Sequence, residues 1–167
     1  MKHAVASILT VAWALWFGAT IALALFVMTL FAGDKSLPAD AVRIAPQAAP
    51  QLFQVFADYQ LVLSVVVLLA AFIWRILRPH ALITTIFALL AACALAAVYF
   101  KVGILSPMQK IQGDPAQKPE FQRLHKRSER LVGVQAILLL SAGVLIPLAA
   151  ARANPVQPAP DGEAPSA

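Results

Sequence analysis

From Ala4 to Phe31 the chain runs 28 residues without a charged side chain. At about 1.5 Å per residue, a helix of that length exceeds a hydrocarbon core of about 30 Å. Such a segment has few alternatives, because in lipid every backbone N–H and C=O must be satisfied internally, and a helix satisfies its own. With Lys2 in front, the run also mimics a signal peptide with a cleavage site at Ala22-Leu23-Ala24. The apolar run continues beyond that site through Leu25, Phe26 and Val27, so the expectation is a retained anchor. If the span starts near Ala12, Trp13 and Trp16 suit aromatic anchors at the interface.

Three more apolar blocks follow. Val55–Trp74 is a second span that encloses Asp58, Ala81–Phe100 is a third, and Leu131–Ala151 is a fourth with Pro147 near its end. The 167 residues are 60% hydrophobic and 13% charged, and a mean hydropathy of +0.77 is too apolar for an ordinary soluble domain. Arg75, Arg78, Pro79 and His80 form a turn so short that the second and third spans must be antiparallel neighbours. The expected fold is therefore all-α: an integral-membrane antiparallel four-helix bundle over residues 1–152, with an amphipathic interfacial helix before the last span. Pro147 removes the partner of the Gly143 carbonyl and is expected to bend the fourth helix. Residues 153–167 are Pro- and Ala-rich with no apolar face and read as a disordered tail.

Between the first two spans, Gly33 and Asp34 end a helix. A connection with Pro38, Pro46 and Pro50 reaches to about Leu52, with Ser36 and Asp40 suited to capping a short turn. Ala14, Gly18 and Ala22 on the first span, and Ala88, Ala92 and Ala96 on the third, recur every four residues. Such small-residue stripes let another helix approach closely, within this chain, in a homo-oligomer or against a membrane partner.

The longest polar run between apolar blocks is Lys101 to Arg130. Pro119 suits a first helical turn and Glu120 favours its positive dipole end. Stepping 100° per residue places Phe121, Leu124, His125, Ser128, Leu131, Val132 and Gln135 on one side. Arg123, Lys126, Arg127 and Arg130 fall on the other, where they face solvent or anionic lipid headgroups. Four spans put both termini on one side of the bilayer. That side carries Lys2, Arg75, Arg78 and Arg152, while the other carries Lys35, Arg43 and the seven basic residues from Lys101 to Arg130. The positive-inside rule then favours a cytoplasmic 101–130 segment. The abundant alanine with little lysine or asparagine points to a bacterial chain, hence to the inner membrane.

The net charge of +5 does not mark a nucleic-acid binder, because the basic residues sit beside apolar blocks and not on a basic soluble domain. The sequence holds no G-x-S-x-G, H-E-x-x-H, Walker loop, C-x-x-C or dinucleotide fingerprint, and His125 with Ser128 lies at the surface with no orienting acid assigned to it, so no enzyme is expected. Cys93 is the one cysteine, too few for a disulfide or a thiolate zinc site. A haem bundle needs imidazoles at matched depth, whereas His3 and His80 lie at one membrane face and His125 at the other. No cofactor or metal is expected. An ionisable residue inside a span should face protein or water. Asp58 is therefore read as an interfacial carboxylate in water, with Lys101 or Arg123 at the same membrane face as the alternative, a paired partner, in a polar cluster that also holds His125, Ser128 and Gln135. That cluster supports a small transporter or resistance protein as the alternative to a non-enzymatic accessory or assembly protein.

Three stretches carry a family resemblance: Leu15-Trp16-Phe17-Gly18 through Leu25-Phe26-Val27, the Leu52-Phe53 and Tyr59 entry to the second span, and Phe121-Gln122-Arg123-Leu124-His125-Lys126-Arg127-Ser128 before the fourth. From Val11 to Leu148 the chain resembles the transmembrane protein 205-like family, known in bacteria as domain of unknown function 4149. The resemblance implies a four-span membrane protein without an established biochemical activity, and adds emphasis to His125 and Ser128 without giving them a role. A eukaryotic relative is associated with platinum-drug resistance and secretory traffic.

Overall fold

The structure, a computed structural model, describes residues 2–31 and 39–152, with side chains over residues 4–29 and 48–152. The expected caps Ser36 and Asp40, the charges of Lys2, Lys35 and Arg43, and the tail at 153–167 lie outside the described side chains. Among the described residues five α-helices follow one another: α1 Lys2–Phe31, α2 Ala39–Leu77, α3 Ala81–Tyr99, α4 Ser106–Ile111 and α5 Lys118–Arg152. A π-helical turn, Phe100–Leu105, joins α3 to α4, and a 3-10 turn, Pro115–Gln117, leads into α5. Among the described residues there is no strand.

Each span is longer than its apolar core. α2 begins at Ala39 and not near Leu52, so Pro46 and Pro50 lie inside a helix where a loop is expected from sequence. Each proline removes only one backbone hydrogen bond, and Ala39, Ala41, Ala45, Ala48 and Ala49 are strong helix formers around them. The membrane-length part runs from Ala48 to Leu77 and contains the expected Val55–Trp74. The third span continues past Lys101 to Ile111, where Gly113 with φ of 86° supplies the left-handed residue that ends a helix. α5 is one helix of 35 residues. The basic amphipathic segment is thus the first part of the fourth helix and not a separate interfacial one. Its inward residues are Leu124 and, eleven residues or about three turns further on the same face, Gln135, followed at spacings of three to four by Leu139, Ala142, Ile146 and Ala149.

The spans form a closed ring in which α1 packs on α2, α2 on α3, α3 on α5 and α5 on α1. Short connections make each neighbour antiparallel. The α2–α3 turn occupies Arg78 to His80, and the His80 Nδ1 accepts the Leu82 N–H at 3.2 Å, capping α3. Large apolar side chains point outward, with Leu95 exposed by 72% and Ile137 by 66%. Exposure on that scale fits lipid and not water. With four helices among the described residues long and apolar enough to cross a bilayer, the chain is a multi-pass membrane protein.

The interior is built differently from the sequence expectation. Trp16 is fully buried, and the Trp13 Nε1–H donates to the Leu139 carbonyl at 2.7 Å. Neither indole is an interfacial anchor; both fill the bundle. α1 turns Leu9, Ala12, Trp16, Thr20 and Leu23 inward. Ala14, Gly18 and Ala22 are left on its exposed flank, because they lie about 200° from the buried residues two positions away. On α3 the inward set is Ile83, Ile86, Leu90, Cys93, Ala94 and Ala97, which leaves Ala88 and Ala92 exposed and Ala96 half-buried. The two expected stripes therefore do not pack the four helices together; close approach falls to buried Ala57, Ala70, Ala71, Ala97 and Ala142.

A polar layer divides the core. The Gln60 Nε2–H donates to the Gln135 Oε1 at 3.2 Å, linking α2 to α5 across the diagonal of the ring. The Gln135 Nε2–H in turn donates to the Cys93 carbonyl on α3 at 3.2 Å. Thr20 on α1 is buried near the corresponding level, its hydroxyl donating to the Trp16 carbonyl. One apolar cluster lies to one side of the layer, around Trp16, Val67, Leu90 and Leu139. The other, around Leu23, Phe56, Phe100 and Leu105, lies toward the 101–130 end.

Candidate functional site

At that end the helices splay. The C-terminal part of α1 contributes Val27 and Met28, the start of the membrane-length part of α2 contributes Ala49, Pro50 and Phe53, and α4 contributes Met108 and Gln109. Phe121, His125 and Glu129 of α5 close the remaining side of a cavity of about 570 Å³. That volume lies within the range of about 300–1,000 Å³ usual for small-molecule sites. The wall is mostly aliphatic, aromatic and thioether. Among the described residues its only ionisable lining groups are His125 and Glu129, with Gln109 and Gln112 as further hydrogen-bonding groups.

The polar edge is ordered by helix spacing. His125 and Glu129 stand four residues apart on α5, so their side chains meet, with Nε2 to Oε1 at 3.2 Å. The Phe121 ring lies parallel to the His125 imidazole, with centroids 6.5 Å apart. On the opposite wall the Gln109 Nε2–H reaches the Pro50 carbonyl and the Gln54 Oε1, both at 3.5 Å, tying α4 to α2. Arg123, Lys126, Arg127 and Arg130 are exposed outside this wall. An apolar chamber with a small hydrogen-bonding edge and basic side chains beyond it is suited to hold an amphiphile.

The expected polar cluster divides into separate contacts. Lys101 pairs with Asp58, which also accepts from Gln54 Nε2 at 3.4 Å. Arg123 pairs with Glu120 on its own helix at 2.7 Å, and the Ser128 hydroxyl donates to the His125 carbonyl at 2.7 Å. Gln135 lies deeper, in the polar layer. Only His125 of the six lines the large cavity. Among the described residues no group of three His, Cys, Asp or Glu side chains is placed to hold a metal ion.

Sequence reasoning gives no site role to Glu129, Met108, Phe53 and Gln60. The i, i+4 relation of Glu129 to His125 is a readable signal. So is Gln60, a polar residue at the inward phase of an apolar helix. The cavity itself has no such signal, because α4 looks like loop.

The Asp58–Lys101 pair is half exposed, and a surface ion pair of this kind adds little to stability. Asp58→Asn is therefore expected to leave membrane accumulation and helical content at the wild-type level, as read by quantitative blotting and circular dichroism. Loss of folded protein would show that Asp58 is shielded from water in the bilayer.

No family model matches the chain, and no curated protein or solved structure is significantly similar to it.

Proposed function

We propose that this protein is a non-enzymatic accessory protein of the bacterial inner membrane that holds an amphiphilic molecule in the cavity at its 101–130 end. The carrying observation is the chamber of about 570 Å³ with mostly apolar walls, whose ionisable groups among the described residues, His125 and Glu129, stand together on one edge. Its position, where the apolar parts of α1 and α2 meet the basic part of α5, supports a mouth at headgroup depth. A lipid-derived molecule then reaches it without leaving the membrane. The positive-inside rule supports a cytoplasmic location for this end, and the stretches around Trp16, Tyr59 and His125 support membership of the transmembrane protein 205-like family.

The alternative, a small transporter or resistance protein, has weaker support. Its polar residues Asp58, Lys101, Arg123, His125, Ser128 and Gln135 divide into separate contacts, and the apolar cluster around Phe56 and Phe100 lies between the cavity and the Gln60–Gln135 layer.

The cavity reading is tested by filling it. Ala49→Trp places an indole in the chamber and is expected to lower co-purified lipid by at least one molecule per chain, measured by native mass spectrometry after gentle detergent extraction. Unchanged lipid stoichiometry in a folded variant would count against the proposal.

A further inference from the structure

The charges around the cavity have opposite signs in different places, and that arrangement points to a class of ligand. Among the described residues Glu129 is the only anion in the lining, and its carboxylate has one described partner, the His125 imidazole. No described lysine or arginine lines the chamber. The head of an occupant placed against this edge therefore meets a carboxylate, which disfavours a phosphate or carboxylate there and favours a cation that can donate hydrogen bonds. A primary ammonium donates up to three; a quaternary ammonium donates none. Lys126 and Arg130 each follow a cavity residue by one position on α5, about 100° further round the helix, and both are exposed. They flank the mouth as cations outside it. Lys110 of α4 and Lys118 at the start of α5 are also exposed at this end.

Resting on the amphiphile reading above, we propose that the occupant is an aminophospholipid. Its primary ammonium lies against the Glu129 carboxylate, its phosphate faces the Lys126 and Arg130 side, and an acyl chain lies along Phe53, Met108 and Phe121. This assigns each part of a zwitterionic lipid to a region of matching chemistry: acyl chain to the apolar wall, ammonium to Glu129, phosphate to the basic flank. A phosphatidylglycerol head lacks the cation, and a phosphatidylcholine head lacks the N–H donors.

The test uses the full chain in detergent, equilibrated with an equimolar mixture of phosphatidylethanolamine, phosphatidylcholine and phosphatidylglycerol carrying identical acyl chains. Bound lipid is counted by native mass spectrometry. Phosphatidylethanolamine is expected to be retained about three- to fivefold over either competitor, the ratio that a partly exposed charged hydrogen bond supports. Glu129→Gln is expected to bring it to the level of phosphatidylcholine while the total number of bound lipids stays the same. Equal retention of the three lipids by the unmodified chain, or a preference that survives Glu129→Gln, overturns the headgroup assignment and leaves the amphiphile reading in place. No retention of any lipid overturns that reading itself. A single-chain alkylamine retained as strongly as phosphatidylethanolamine overturns the role given to the phosphate.

Discussion

Gly143→Ala is expected to destabilise the bundle by about 2 kcal/mol, within the usual range for overpacking a well-filled core. Helix propensity alone predicts the opposite sign, since alanine in a helix interior is favoured over glycine by about 1 kcal/mol. Packing decides the outcome. A Cβ at Gly143 would lie 2.0 Å from Trp13 Cζ2 and 2.6 Å from Cε2, so the indole has to move. Its movement is restrained by the Nε1–H bond to the Leu139 carbonyl at 2.7 Å and by stacking on Phe17 at 5.6 Å. Gly133, with nothing within 4 Å of its Cβ position, is the internal control: Gly133→Ala should be neutral or slightly stabilising. In a Trp13→Ala background the Gly143→Ala penalty should vanish. Unfolding in mixed micelles gives all three values, and an undiminished penalty in that background would refute the contact.

The second large effect belongs to the polar layer. Gln135→Leu is expected to destabilise by about 2 kcal/mol. It strips the Gln60 Nε2–H of its partner and removes the donor to the Cys93 carbonyl, and an unsatisfied buried polar group costs about 1–3 kcal/mol. Gln60 has little to fall back on, because its Oε1 is already buried without a partner. Membrane interhelical hydrogen bonds taken singly are weaker, averaging about 0.6 kcal/mol, so most of the loss comes from the stranded amide. It follows that Gln60→Leu combined with Gln135→Leu should be less harmful than Gln135→Leu alone. Strict additivity of the two substitutions would show that the residues do not interact.

The spans and their antiparallel order are legible in the apolar blocks alone, because span length and the absence of charge are dictated by the bilayer. The angular order of α5 is legible too: Leu124 and Gln135 lie inward, and Arg123, Lys126, Arg127 and Arg130 outward. Other features are not. Small-residue spacing identifies surfaces that permit close approach, but on α1 and α3 those surfaces are not the ones turned fully inward. Which face turns inward depends on whether Trp16 and Leu90 find complementary space on their neighbours. The prolines near Ala48 read as breakers because their cost is local, whereas the helix that contains them extends from Ala39 to Leu77. The cavity arises where α1, α2, α4 and α5 diverge, and no single stretch encodes it. The link from Asp58 to Lys101 is among the pairings the sequence suggests, whereas that from His125 to Glu129 is easily missed despite its regular spacing, since both residues sit in a run dense with other charges.

The measurement that bears most directly on an occupied interfacial cavity is photocrosslinking in membranes with a phospholipid carrying a diazirine on its acyl chain, followed by peptide mapping of the adducts. Adducts are expected on Phe53, Met108 and Phe121, and these should fall away in Ala49→Trp while labelling of the outward residues Leu95, Ile137 and Leu140 persists. Labelling confined to those outward faces, with none on the cavity wall, would contradict an occupied cavity and leave a four-span bundle surrounded by lipid but holding none.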